Sequence, residues 1–183
     1  MTGETVATVH WRALDREGED KCRLARVGEG WMLVGHARFR DDAGFAALDY
    51  VVRMGKDWLT RSADISGTYG DATVGWRIVN EGGWFLNDAP QPQVEGAEDV
   101  DLSFTPATNL MPLRRLPEVG RLEVRAAWFR LPGGVPEPLD QAYRRERGGL
   151  VHYTASSGFE TQLVVGPDGF VETYPGLWDV TDG

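Results

Sequence analysis

Apolar and polar residues alternate with a period of two through most of the chain. Between Val6 and Ala13, the residues Ala7, Val9, Trp11 and Ala13 share one side, and Thr8, His10 and Arg12 share the other. Trp31, Leu33, Gly35, Ala37 and Phe39 repeat the pattern opposite His36, Arg38 and Arg40. Val74, Trp76 and Ile78 form a third face, and Leu122, Val124, Ala126 and Trp128 a fourth, interleaved with Arg121, Glu123 and Arg125. A strand with one buried face produces this pattern, because successive side chains point to opposite sides of the sheet.

Turn chemistry separates these runs. Asp15-Arg16-Glu17-Gly18, Gly28-Glu29-Gly30, Asp41-Asp42-Ala43-Gly44, Tyr69-Gly70-Asp71, Glu81-Gly82-Gly83 and Gly166-Pro167-Asp168-Gly169 all favour chain reversal. Roughly ten or eleven short strands follow from this reading, beyond which an open twisted sheet curls. The expected architecture is all-β: one domain over residues 1–183, a strongly curved antiparallel sheet or incomplete barrel with one or two short helices. Pro106 and Pro112 restrict Thr105–Leu116 to a short helix starting near Pro106. Pro138–Gly148 fits both periods and is read as strand, since Gly148-Gly149 then turns into the alternating run Leu150–Ala155. Asn87–Asp99 reads as a surface loop.

Composition narrows the class. Apolar residues make up 42% of the chain and include 7 Trp, enough for a packed core, so disorder is excluded. The net charge of −9 disfavours nucleic acid and anionic membrane surfaces as partners. The basic residues are 17 Arg and 2 Lys, a balance that fits coding bias or a few guanidinium forks for an anion. A lone Cys22 excludes an intrachain disulfide. The N-terminus lacks a basic and apolar leader, and no run reaches the ~20 apolar residues of a membrane span, so a cytoplasmic protein is expected.

Catalytic motifs are sparse. His10, His36 and His152 lack metal-ligand spacing, and there is neither a nucleophile elbow nor a phosphate loop before a helix. No cofactor or metal is implied. Glu95, Glu98, Asp99 and Asp101 read as a solvated loop leading into a strand, with Asp101 alone adjoining a segment of interest. That segment, Thr105 to Arg115, carries two hydroxyls, one amide and two guanidinium groups and is fixed by two prolines. Thr105 or Thr108 would cap a short helix, and Asn109 supplies donors and an acceptor. Arg114 and Arg115 would diverge in extended chain, so at most one would enter a cavity.

Phe104-Thr-Pro-Ala-Thr-Asn109 followed by Met111-Pro-Leu-Arg-Arg-Leu116 resembles the signature of the bacterial putative glycolipid-binding family. Tyr174-Pro-Gly-Leu-Trp178 resembles its second signature, and Ala126–Leu131 and Leu139-x-Gln-x-Tyr143 resemble its strands. Leu110 departs from the pattern, where a polar residue is expected. The resemblance implies a half-barrel similar to the lipoprotein-localisation factors, which hold acyl chains on a concave apolar face. It implies a non-enzymatic binder of an amphipathic ligand such as a glycolipid or acyl conjugate. Thr105, Thr108, Asn109, one of Arg114 and Arg115, Tyr174 and Trp178 are the candidate head-group residues. A second reading is an enzyme on an anionic small molecule, with Arg114 or Arg115 holding the anion and Asp101 as base. It requires a polar pocket with a carboxyl of raised pKa. A third is a protein-interaction module using a sheet edge or an exposed aromatic patch.

Overall fold

The alternating runs form strands, and the turn sequences connect them. A computed structural model describes residues 3–182. Its first half is a meander of β1 (Glu4–Ala13), β2 (Gly18–Val27), β3 (Gly30–Asp41), β4 (Gly44–Met54), β5 (Thr60–Tyr69) and β6 (Ala72–Asn80), ending in the short β7 (Trp84–Leu86) and β8 (Ala89–Pro90). A 3-10 turn at Pro92–Val94 leads to β9 (Asp99–Leu102), a second 3-10 turn at Ala107–Asn109, and the helix α1 (Leu110–Arg115). The second meander is β10 (Gly120–Phe129), β11 (Pro136–Arg145), β12 (Val151–Ala155), β13 (Glu160–Val165), β14 (Val171–Tyr174) and β15 (Trp178–Val180).

All fifteen strands among the described residues belong to one sheet, with β8 at one edge and β9 at the other. β1 joins the two meanders by pairing antiparallel with β15, Trp11 opposite Val180 and Ala13 opposite Trp178. Only β9 runs parallel to its neighbour, β10. The sheet curls until its β9 edge meets β5, three strands in from the opposite edge. The Thr60 amide of β5 donates to Glu98 O at 3.2 Å, and the Val100 amide of β9 donates to Thr60 Oγ1 at 3.0 Å. The strand ladder does not close there, so the fold is an incomplete barrel.

The inner face is packed rather than open. β4 shows why, burying Ala46, Leu48, Tyr50, Val52 and Met54 at every second position. The chain's own segment fills the concavity. Phe104, Ala107, Leu110, Met111 and Leu113 are each at most 2% exposed. Leu110, where a polar residue was expected, is one of these core side chains. Pro112 is tolerated in α1 because it falls in the first turn, where its missing N–H has no partner to lose.

Some strands escape the period-two pattern. β7, β8, β9 and β15 span two to four residues, too short to show a period. Within the expected surface loop 87–99, Ala89–Pro90 pairs with β7, and Pro90 is accepted because β8 is an edge. Pro136–Arg145 is strand, as the reading of Pro138–Gly148 anticipates.

One glycine has a positioning role. A Cβ at Gly35 on β3 would overlap the Tyr50 ring on β4, so only glycine leaves room for that ring. Tyr50 Oη thereby reaches Asp20 Oδ2 at 2.6 Å, deep beneath the segment that carries Thr105.

Candidate functional site

The Thr105–Arg115 segment crosses the mouth of the concavity and turns its polar groups in different directions. Thr105 Oγ1 accepts the Ala107 amide at 3.0 Å and donates to Asp20 Oδ2. Asp20 is fully buried, and burial pushes its carboxyl up, although the Thr105 and Tyr50 hydroxyls oppose the shift. Its Oδ1 has no partner among the described residues. Thr108 Oγ1 accepts the Leu102 amide at 3.3 Å, tying the segment to β9. Neither threonine occupies a cap position; Thr105 takes the first amide of the 3-10 turn and Thr108 the last amide of β9. Asn109 Nδ2 donates to Tyr143 Oη at 2.9 Å.

The arginines leave the segment on separate sides, on a helix rather than in extended chain. Arg115 makes a two-pronged ion pair with Asp99, at 2.7 and 2.8 Å, and Asp99 is only 2% exposed. Asp99 is therefore not part of a solvated loop, as its neighbours suggested. It is buried where the edge strand β9 lies against β5. Arg114 donates to Asp168 O at the β13–β14 turn, and its guanidinium lies 4.8 Å from the Trp58 ring centroid.

Beside this segment lies a cavity of about 230 Å³, between β9, the 3-10 turn and residues of β10, β11, β12, β14 and β15. Thr105, Asn109, Tyr174 and Trp178 line it, so two signatures some 70 residues apart in sequence converge on one space. Thr108, Arg114 and Arg115 do not line it. Asp101 does, together with Trp128, Tyr153 and Phe159. Tyr153, Phe159 and Tyr174 form a triangle of rings, with centroids 6.2, 6.3 and 6.0 Å apart. A larger groove, about 600 Å³, runs beside the β13–β14 turn, but its charged lining mixes Lys21 and Arg23 with Asp168 and Glu172. The smaller cavity is the better candidate because polar groups and rings converge there on one volume.

Asp101 is its titratable centre. Burial pushes the carboxyl up to about 6, the nearby Asp99 adds to this, and the Gln141 amide works against it. Gln141 Nε2 bridges Asp101 Oδ2 and Tyr153 Oη, both at 2.8 Å. Burial also pushes the Tyr153 and Tyr174 phenols well above their usual range, so both stay neutral donors. Chemically, the arrangement offers one carboxyl, amide and hydroxyl groups, and aromatic walls.

Sequence reasoning named Asp101 only as a base in the enzyme reading, and missed Trp128, Tyr153 and Phe159. Trp128 and Tyr153 lie in alternating runs whose inward faces were legible. Their meeting place depends on how the sheet curls.

Comparison with known proteins supplies a family. The crystal structure of a DUF1089 family protein from Pseudomonas aeruginosa is similar to this fold, with a TM-score of 0.75 and 28% identity, covering 87% of this chain and 91% of that one. No curated protein matches the chain. Among the described residues, no helix is long and apolar enough to cross a membrane. A family model described as putative glycolipid-binding matches residues 8–179. Because that match spans all but the ends of the sequence, the chain belongs to the putative glycolipid-binding family.

Proposed function

We propose that this protein binds an amphipathic ligand, a glycolipid or acyl conjugate, whose polar head occupies the cavity at Asp101. The observation that carries this reading is the convergence of Asp101, Thr105 and Asn109 with Trp128, Tyr153, Tyr174 and Trp178 around about 230 Å³. At ~30 Å³ per water, that volume equals about eight waters, the scale of a head group rather than a whole lipid. Carboxyl, amide and hydroxyl groups suit sugar hydroxyls, and the rings supply flat apolar surface. The concave face is filled by the chain's own Leu110, Met111 and Leu113, so an acyl chain would extend outward past Phe159, which is 38% exposed. Each buried Å² of that chain would add ~25 cal/mol. In this reading Thr108, Arg114 and Arg115 are braces that hold the segment in place.

Native mass spectrometry of protein purified from cells tests the proposal. A co-purifying lipid is expected, and Ser157→Trp, an exposed residue on the cavity wall, should displace it with little change in melting temperature. Lipid-free protein, or a lipid retained by the Trp variant, would count against the cavity.

The raised carboxyl of Asp101 favours one alternative, a general base acting on a bound small molecule. In that case the mass of the bound species would change on incubation, and Asp101→Asn would stop the change. Arg114 and Arg115 would not hold an anion there, since neither lines the cavity.

A further inference from the structure

The cavity has a charge pattern that a generic head group would leave unused. Asp101 is the one charged side chain among its lining residues, with no Lys, Arg or His there. Its Oδ2 accepts from Gln141, while its Oδ1 has no hydrogen-bond partner among the described residues. The nearest basic groups on the segment are engaged elsewhere, Arg115 with Asp99 and Arg114 with Asp168 O. The Tyr153–Phe159–Tyr174 triangle belongs to the same lining. Aromatic rings attract cations through their quadrupoles, and a carboxylate attracts them through its full charge. An anion is repelled by both. A neutral head leaves a partly buried carboxylate without a counter-charge, which is costly.

Building on the head-group reading, we propose that the ligand's head carries a cationic ammonium, such as an amino sugar or a quaternary amine, held between Asp101 and the ring triangle. The cation would complete the pairing that the protein's own side chains leave open. Burial of Asp101 opposes its ionisation, and a bound ammonium offsets that cost.

A pH dependence follows. The groups facing Asp101 are Gln141 and Tyr143 from β11, Tyr153 from β12, Tyr174 from β14, and Thr105 and Asn109 from the segment. The phenols stay neutral, and Asp99 on its own strand is tied to Arg115. Asp101 therefore dominates the local titration. An ammonium binds the ionised carboxylate, so affinity is full above a pH of about 6 and declines as pH falls through it.

The test uses one tail and three heads: octylammonium, octyl glucoside and octyl phosphate, each below its micelle concentration. Binding is followed by calorimetry and by the fluorescence of Trp128 and Trp178. At pH 7.5 octylammonium is expected to bind at least ~10-fold more tightly than the other two, a difference of ~1.4 kcal/mol. It should weaken towards pH 5. Asp101→Asn should remove most of that preference together with the pH dependence. Phe159→Leu, at an exposed position, should weaken octylammonium more than octyl glucoside. Tetramethylammonium separates the two sources of such a head. Competition at similar concentration supports a free amine, and competition only at far higher concentration supports an ammonium lipid.

Equal or tighter binding of the glucoside or phosphate, abolished by Ser157→Trp, would overturn the ammonium and leave the head-group reading standing. So would unchanged octylammonium affinity in Asp101→Asn. If no probe binds, or Ser157→Trp alters nothing, both fall.

Discussion

Arg115→Ala is expected to lower stability by about 3 kcal/mol, the lower end of the range for leaving a buried partner uncompensated. The lower end applies because the Arg115 side chain is 14% exposed while Asp99 is only 2% exposed. For a chain of this length, that loss corresponds to a fall of roughly 6–12 °C in melting temperature. The deficit should shrink as pH falls, because an unpaired buried carboxyl takes up a proton and then tolerates its site. Arg114→Ala is the control. It loses an exposed carbonyl contact and a ring contact with Trp58, together about 1 kcal/mol. Thermal melts of the two variants from pH 5 to 8 separate a brace from a ligand contact. An Arg115 variant that melts with the wild type would return that residue to the list of binding groups.

Phe104→Ala should be as damaging, by ~3–5 kcal/mol. The ring is 1% exposed, stacks on Phe39 with centroids 6.0 Å apart, and meets Tyr50 edge-on at 5.9 Å. Removing it opens a hole between the sheet and the segment that fills it. Tyr50, Asp20 and Thr105 lie around that hole, so the cavity wall should loosen along with the core. Urea unfolding monitored by tryptophan fluorescence gives the size of the effect. A loss below 1 kcal/mol would mean that the segment contributes little to the packing of the concave face.

These two residues, one at the start of the signature and one next to its end, show how it divides its work. Phe104, Ala107, Leu110, Met111 and Leu113 pack the interior, and Thr108 and Arg115 anchor the segment to β9. Thr105 and Asn109 are left on the cavity wall, held from behind by Asp20 and Tyr143. A motif rich in polar residues is thus in large part a structural plug. The arginines looked like anion ligands because a guanidinium beside prolines has the same appearance in sequence whether its partner is a ligand or a buried aspartate. The position of Asp99 distinguishes them for Arg115, and the Asp168 carbonyl with the Trp58 ring for Arg114.

Local structure was readable from the residues alone. Period-two alternation and turn residues depend on neighbours two to four positions away, and such interactions act in any surroundings. The long strands, their inward faces, the reversals between them and the short proline-bounded helix were legible for that reason, whereas β7, β8, β9 and β15, of two to four residues, were not. The motifs also identified the family. Tertiary structure alone decided how far the sheet curls, that β9 lies parallel to β10, and that the helix fills the concave face. It also decided that Asp99 is paired with Arg115 while Asp101, two residues on, remains without a cation. Burial and charge pairing depend on distances between strands remote in sequence, and a shift of one residue along β9 would exchange the faces of the strand. Local periodicity contains no information about which remote side chain arrives opposite a given carboxylate, and that arrangement sets the chemistry of the cavity.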